Sequence, residues 1–124
     1  MAFEKFTKPR GSFAPRVTIR QTGQIGLSQG TIRRFSLRGF EHCVLYYDKE
    51  TNRIAISPTR DPNEEGAVKM TVRESDGYIS AKAFLTYFDI NFDKSQPYRA
   101  VWDSQINGIV IRLDEGSGAP TETL

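Results

Sequence analysis

Cysteine, histidine and long apolar runs are scarce in this chain of 124 residues, which contains one Cys and one His. The lone Cys43 cannot form a disulfide within the chain, and this favours a reducing, cytoplasmic compartment. No stretch approaches the roughly 20 apolar residues of a transmembrane helix, so the sequence indicates no membrane association. The opening MAFEKFTKPRGSFAPR lacks the continuous apolar segment of a secretory signal.

The motifs of common enzyme and metal sites are also missing. No group of His, Cys, Asp and Glu has metal-ligand spacing, and no glycine-rich loop follows a strand pattern. His42 and Cys43 are neighbours, but adjacent side chains of a strand point to opposite faces and cannot readily share a proton. We therefore predict a protein that is not an enzyme and that needs no metal, cofactor or small-molecule substrate.

Charged residues, in contrast, are abundant and unevenly distributed. Residues 1–58 carry ten Lys and Arg but four acids, a net charge of +6, whereas residues 59–124 carry seven against eleven, a net charge of −4. The total of +2 conceals this division. A basic half beside an acidic half is typical of a protein that meets a polyanion; the simpler interpretation is solvated surface charge that happens to segregate.

One segment near the start of the chain recurs in its second half. VTIRQTG at residues 17–23 matches MTVRESDG at residues 70–77, with one extra residue in the second copy. Both alternate apolar and polar residues, as half-buried strands do. Gly23 and Gly77 are expected to form the turn that follows each strand.

A second pair of segments recurs in the same order. YYDKETNRIAI at residues 46–56 matches VWDSQINGIVI at residues 101–111, and each indicates a strand, a tight turn and a second strand. Asp48 and Asp103 are expected to begin these turns by hydrogen-bonding the backbone that follows, rather than to act as acid and base. Recurrence of several elements in one order predicts an internal duplication.

Each copy also contains a serine before a short helical pattern. Ser28 and Ser80 are expected to be N-caps, because a serine hydroxyl accepts a hydrogen bond from a free N–H group of the helix it precedes. The repeated unit is thus strand, strand, short helix, strand, strand. A unit of this size cannot cover its own apolar faces, so two units are expected to close together into one mainly β barrel.

The boundaries follow from these repeats. We predict a basic N-terminal arm at 1–15, a first barrel repeat at 16–58, a linker at 59–68, a second barrel repeat at 69–114 and a flexible tail at 115–124. The two repeats together form one barrel domain.

VTIRQTGQIGLSQGTIRRFSL and the following VLYYDKETNRIAISP resemble the AbrB/MazE/SpoVT superfamily of swapped-hairpin β-barrels. The resemblance covers about residues 16–58 and, through the repeat, 69–113. It implies a pseudo-two-fold AbrB-like β-barrel built from an internal ββαββ duplication. It also implies a DNA-binding regulator, since members of the superfamily are typically DNA-binding regulators or antitoxins. The basic residue that often follows the family glycine is replaced by Gln24 and Tyr78.

The sequence therefore predicts double-stranded DNA as the partner of the basic first repeat and arm, because several Lys and Arg contacts to phosphates together give affinity. The expected DNA-binding residues are Lys8, Arg10, Arg16, Arg20, Arg33, Arg34 and Arg38. Arg20 and its counterpart Arg73 have an alternative structural role, an ion pair with Asp103 or Asp48. The alternative function is a protein-interaction or assembly module, including self-association, that keeps the barrel without binding nucleic acid.

Overall fold

Residues 14–115 are described by the computed structural model, and within that range the chain forms nine β-strands and two short α-helices. The first half holds β1 Arg16–Ile19, β2 Gln24–Ser28, α1 Gln29–Arg34, β3 His42–Asp48 and β4 Arg53–Thr59. The second half holds β5 Ala67–Val72, β6 Asp76–Ser80, α2 Lys82–Tyr87, β7 Gln96–Arg99, β8 Val101–Asp103 and β9 Gly108–Arg112, followed by a 3-10 turn at Leu113–Glu115. The prediction of a mainly β chain with two short helices is confirmed.

The nine strands of residues 14–115 form one antiparallel sheet in the order β7–β1–β2–β6–β5–β3–β4–β9–β8. β7 and β8 lie at opposite ends of this order, yet only Ala100 separates them in the chain. At Ala100 the chain therefore passes from one end of the sheet to the other, and the sheet curls into a nearly closed barrel. Closure leaves few unpaired backbone groups at strand edges.

Isoleucines of β4 and β9 show how the barrel interior is filled. Ile54 lies opposite Ile111 and Ile56 lies opposite Ile109, and all four are at most 1% exposed. Branching at Cβ suits these side chains to a pleated, packed surface. The other large side chains buried in the core are Ile19, Ile25, Leu27, Ile32, Leu37, Met70, Ile79 and Leu85.

The two predicted hairpin turns are present, and an Asp begins each. Asp48 Oδ1 accepts hydrogen bonds from the backbone N–H groups of Glu50 at 3.0 Å and Thr51 at 3.3 Å. Hydrogen bonds from the side chain and backbone of Thr51 hold the pKa of Asp48 below its usual value. Asp103 Oδ1 accepts similarly from the N–H of Gln105 at 2.9 Å. The expectation that these two carboxylates organise turns is confirmed.

An asparagine ends each of these turns in the left-handed backbone region. Asn52 has φ of 56° and Asn107 has φ of 55°. Asn adopts this region more readily than other residues that carry a Cβ, because its short amide can bond locally. The two hairpins thus use the same residue type in the same backbone conformation.

The two helices begin differently although the sequence predicts one mode of capping. Ser28 Oγ accepts a hydrogen bond from Thr31 N–H at 3.2 Å, which confirms Ser28 as the N-cap of α1. Ser80 is not a cap, so that prediction is wrong: it is the last residue of β6, where it pairs with Gln24. Ala81 occupies the N-cap position of α2 and forms no side-chain cap.

The helices end in the same way. Leu37 N–H donates to the carbonyl of Ile32 at 3.0 Å, after Ser36 with φ of 52°. Ile90 N–H donates to the carbonyl of Leu85 at 2.8 Å, and the preceding residue again has positive φ, at 58°. In both cases the bond satisfies a carbonyl that has no partner within the helix. The donating residues, Leu37 and Ile90, place their apolar side chains in the core.

Gly77 does not lie in the predicted turn. It lies inside β6, where it pairs with Val72. The turn before it is closed by the hydrogen bond from Arg73 N–H to the carbonyl of Asp76, the residue that precedes Gly77, at 2.7 Å. A Cβ on Gly77 would lie 2.7 Å from the carbonyl oxygen of Thr71, so glycine permits a close approach of two strands. Gly23, with φ of 90°, does lie in the β1–β2 turn as predicted.

Candidate nucleic-acid interface

The predicted DNA-binding residues that the structure describes differ in their surroundings. Lys8 and Arg10 lie outside the described residues. Among the five that are described, Arg20 is half-buried and the other four, Arg16, Arg33, Arg34 and Arg38, are exposed. The local partners of each of the five decide whether its charge is available to a phosphate.

Arg16 lies beside a second exposed cation on the neighbouring strand. It pairs across strands β1 and β7 with Arg99, and both residues are exposed. Directly opposite residues of an antiparallel pair point to the same face with Cβ atoms roughly 5 Å apart. Within residues 14–115, neither guanidinium forms an ion pair with a carboxylate.

Helix α1 is fastened to the backbone of Arg16. Thr31 Oγ1 donates to the carbonyl of Arg16 at 2.7 Å, and Arg16 N–H donates to Ser28 Oγ at 3.0 Å. These bonds attach the start of α1 to the Arg16 strand, and the exposed Arg33 and Arg34 lie in the last turn of the same short helix. Arginines in a last turn also interact favourably with the negative end of the helix dipole.

The Arg20 side chain contacts residues of the neighbouring strand β2. Its guanidinium donates to the side-chain carbonyl of Gln24, and a Cβ on Gly26 would lie 2.7 Å from its Cζ. The side chain thus lies flat over the glycine of β2. The predicted ion pair of Arg20 with Asp48 or Asp103 is wrong: Asp48 pairs with Arg53, and within residues 14–115 Arg20 forms no ion pair with a carboxylate.

Arg73 and Arg38 each face an acid of the second repeat. Arg73 Nε lies 3.6 Å from Asp76 Oδ1, and its guanidinium lies 5.3 Å from the ring centre of Tyr78. Arg38 Nη2 lies 3.9 Å from Glu74 Oε2 and donates to the Glu74 carbonyl at 3.4 Å. Both pairs are well exposed and are screened by water and salt. They nevertheless reduce the positive potential around these two arginines.

A second cross-strand arginine pair offers an instructive contrast. Arg53 and Arg112 lie opposite each other on β4 and β9, as Arg16 and Arg99 do on β1 and β7. Arg53 Nη2 lies 3.5 Å from Asp48 Oδ2, and Arg112 Nε lies 3.9 Å from Asp114 Oδ1. Here each cation has its own carboxylate. The Arg16–Arg99 pair is therefore distinguished by the lack of described acidic partners.

Sequence reasoning missed Arg99, because the second repeat is acidic as a whole. The signal was local: QPYRA at residues 96–100 contains no acid. What makes Arg99 part of the basic surface is the pairing of β7 with β1, a contact between residues about 80 positions apart in the chain. The surface that comprises Arg16, Arg33, Arg34 and Arg99 is called the arginine surface below.

The adjacent His42 and Cys43 have separate environments. Cys43 is fully buried in the core, and burial raises the pKa of its thiol to about 12. A thiol with this pKa carries almost no thiolate at neutral pH, and the thiolate is the nucleophilic form. His42 is half-buried on the opposite face of β3.

No group of three or more His, Cys, Asp or Glu side chains in residues 14–115 is arranged to hold a metal ion. The same part of the chain contains no helix that is long and apolar enough to cross a membrane.

Comparison of the chain with protein-family models, with curated proteins and with solved structures found no match. The resemblance to the AbrB/MazE/SpoVT superfamily accordingly stays a prediction, and the function has to be inferred from the side chains described above.

Proposed function

We propose that the chain is a cytoplasmic transcription regulator of AbrB-like type that binds double-stranded DNA through the arginine surface. Lys8 and Arg10 of the N-terminal arm would add contacts to the same phosphates. The observation that carries the proposal is the pair Arg16–Arg99, two exposed cations directly opposite each other with no described acid in contact.

Two like charges at this separation destabilise a sheet unless an anion lies between or beside them. A DNA phosphate is such an anion, and arginine can donate two parallel hydrogen bonds to it. Each phosphate contact also releases counterions from the duplex, which adds affinity in low salt. Arg33 and Arg34, exposed in the last turn of α1, would extend the contact along the DNA backbone. Arg20 donates to Gln24 and Arg38 lies beside Glu74, and these contacts reduce what the two arginines can contribute.

An internal ββαββ duplication, as in the AbrB-like swapped-hairpin barrel, is part of this proposal and is supported by reciprocal contacts. Phe35 at the end of α1 stacks on Trp102 with ring centres 5.8 Å apart, and Phe88 at the end of α2 packs on Tyr47 at 5.3 Å. In the sequence repeat Phe35 corresponds to Phe88 and Tyr47 to Trp102. Each helix end therefore contacts the hairpin strand of the other repeat.

The strand pairing supports the duplication in the same way. Ile25 of β2 pairs with Ile79 of β6, and Ala55 of β4 pairs with Val110 of β9. In each pair a residue lies opposite its own counterpart in the other repeat, which is the arrangement expected around a two-fold axis. Such a barrel lets the two repeats diverge in charge, so one repeat can supply most of a DNA-binding surface.

The first test is a salt titration of the unmodified protein with a random-sequence DNA duplex, followed by fluorescence anisotropy. We expect binding at roughly 50 mM salt, and a plot of log affinity against log salt with a slope of about −0.9 for each phosphate contact. The four arginines alone predict a slope of about −3.6, and contacts from Lys8 and Arg10 would make it steeper. Absence of binding at roughly 50 mM salt would overturn the proposal, because nonspecific phosphate contacts should be detectable there.

A second candidate function is a protein-interaction or assembly module. The observation that favours it is a group of exposed aromatic rings at the end of α2, where Tyr87 is 81% and Phe88 39% exposed. The rings of Tyr87 and Phe84 each contact Phe88 edge-on, with centres 4.8 and 5.3 Å apart. Exposed aromatic groups of this kind are common anchors of protein interfaces.

Sedimentation velocity over a range of protein concentrations tests the assembly function, with a second copy of the chain as the partner. If it is correct, the unmodified protein self-associates and Tyr87→Ser weakens association by more than about tenfold, as expected for a central aromatic anchor. Tyr46→Ser is the matched control, because Tyr46 is 42% exposed and makes no ring contact with this group. A protein that stays monomeric, or an equal effect of both variants, contradicts assembly through this face.

A further inference from the structure

A cavity of about 540 Å³ lies where the loop after α2, strand β7 and the β3–β4 turn meet. Its apolar floor includes Ile19 and Ile90, which are 1% and 8% exposed. Its size is within the range of about 300–1,000 Å³ that is typical of small-molecule sites. The cavity is lined by residues of β1 and β7, as the arginine surface is, but the two share no residue.

The walls of the cavity carry two hydroxyl–amide pairs. Tyr47 O–H donates to Asn52 Oδ1 at 2.8 Å, and Tyr98 O–H donates to Gln96 Oε1 at 3.1 Å. Each bond uses the phenolic hydrogen and one lone pair of the amide oxygen. It leaves the amide N–H groups as donors and the phenolic oxygen as an acceptor. The walls therefore present donors and acceptors side by side.

The rim adds charged groups of both signs. Asp89, Asp93 and Lys94 line the cavity and are exposed. The two carboxylates offer only acceptors and the ammonium group offers only donors. With two negative charges against one positive charge, the entrance disfavours phosphates and carboxylates.

The corresponding region beside the loop after α1 is filled more completely. Phe40 of that loop packs against the core, as Phe92 of the loop after α2 does, and the Arg60 guanidinium in addition covers the Phe40 ring at 4.2 Å. The space left there, beside Gly39 and Val72, is about 230 Å³. The larger cavity thus lies beside the loop of the acidic second half, although Ile19, Tyr47 and Asn52 of the first half also line it.

We propose that this cavity binds a neutral, polyhydroxylated small molecule of the size of a sugar. A hydroxyl group donates and accepts at once, so a ligand with several hydroxyls can satisfy the mixed wall of Tyr47, Asn52, Gln96 and Tyr98. Carboxylates such as Asp89 accept readily from neighbouring hydroxyls. A cation would leave the amide donors unused, and an anion would be repelled by the two rim carboxylates.

The test uses the full chain, with glucose, mannose and sorbitol as probes and amide NMR shifts as the readout. We expect shifts confined to residues that line the cavity, saturating at about 10 mM if the dissociation constant is about 1 mM. Spermidine and glucose 6-phosphate serve as cationic and anionic comparison ligands. Lack of shifts with all three polyols at about 10 mM, or tighter binding of either charged ligand, overturns the proposal.

A matched pair of variants makes the test specific to the cavity. Asn52→Gly removes a wall amide, and glycine tolerates the positive φ of this position. Loss of one or two hydrogen bonds is expected to weaken polyol binding about threefold to tenfold. Asn107→Gly makes the same change at the same φ in the other hairpin, which does not line the cavity, and is expected to leave affinity unchanged. Equal affinities of the two variants overturn the proposal.

Discussion

Ile54→Ala and Ile109→Ala are each expected to lower the free energy of unfolding by about 2–5 kcal/mol. Both side chains are 0% exposed, and they occupy matching places in the two hairpins, Ile54 on β4 and Ile109 on β9. Truncation removes three buried carbons from a packed core and leaves a cavity that neighbouring strands can only partly fill. Because domains of this size are commonly stable by about 5–15 kcal/mol, either change is a large fraction of the total.

Urea unfolding followed by circular dichroism measures this effect, provided that both variants retain the slope of the unmodified protein. Val101→Ala is the control: Val101 lies on β8 but is 49% exposed, and its truncation is expected to change stability by less than about 0.5 kcal/mol. If one of the two core variants were as stable as the control, the two hairpins would not close a common core in the way described. Similar losses in both variants would agree with two equivalent repeats.

The elements that could be predicted from the sequence depend on residues close together in the chain. The Asp48 turn and its left-handed Asn52 are formed by neighbours, so residue types alone indicate the conformation. The N-cap at Ser28 is of the same kind, since its acceptor is three residues from its donor. Alternation of buried isoleucines likewise follows from the two-residue period of a strand.

The predictions that were wrong involve a change of register between similar segments. RQTG and RESDG look alike, but the second hairpin extends pairing through Gly77, so the glycine is in a strand and the turn comes before it. Ser80 ends β6 as Ser28 ends β2, but Ala81 lies between Ser80 and α2, so Ser80 does not occupy the N-cap position. A difference of one or two residues in hairpin length is weakly encoded in residue type and is determined by packing against neighbouring strands.

The candidate site was harder to predict than the fold, because cross-strand neighbours are far apart in sequence. Charge asymmetry indicated that the first repeat is basic, but it concealed Arg99 in the acidic half. The cavity was missed for a related reason. Tyr47 and Tyr98 are ordinary strand residues in sequence, and only barrel closure brings their hydroxyl–amide pairs to one wall.

The double variant Arg16→Gln/Arg99→Gln is expected to change DNA binding and protein stability in opposite directions. Removal of two phosphate contacts should weaken binding roughly 10- to 100-fold at about 0.1 M salt and make the salt slope less steep by about 1.8. Removal of two like charges that face each other should raise the free energy of unfolding by about 0.2–1 kcal/mol. Weaker binding by a protein that is at least as stable cannot be attributed to misfolding.

The matched control is Arg53→Gln/Arg112→Gln, which removes the same number of charges from another cross-strand pair. Arg53 and Arg112 each contact a carboxylate, Asp48 and Asp114 respectively, so their charges are less available to DNA. Affinity and salt slope are therefore expected to stay close to those of the unmodified protein.

If both double variants lost affinity equally, net charge alone would govern binding and the arginine surface would not be the DNA site. If Arg16→Gln/Arg99→Gln bound DNA as well as the unmodified protein, the contacts would have to lie elsewhere, because the proposal rests on these two exposed, directly opposite cations.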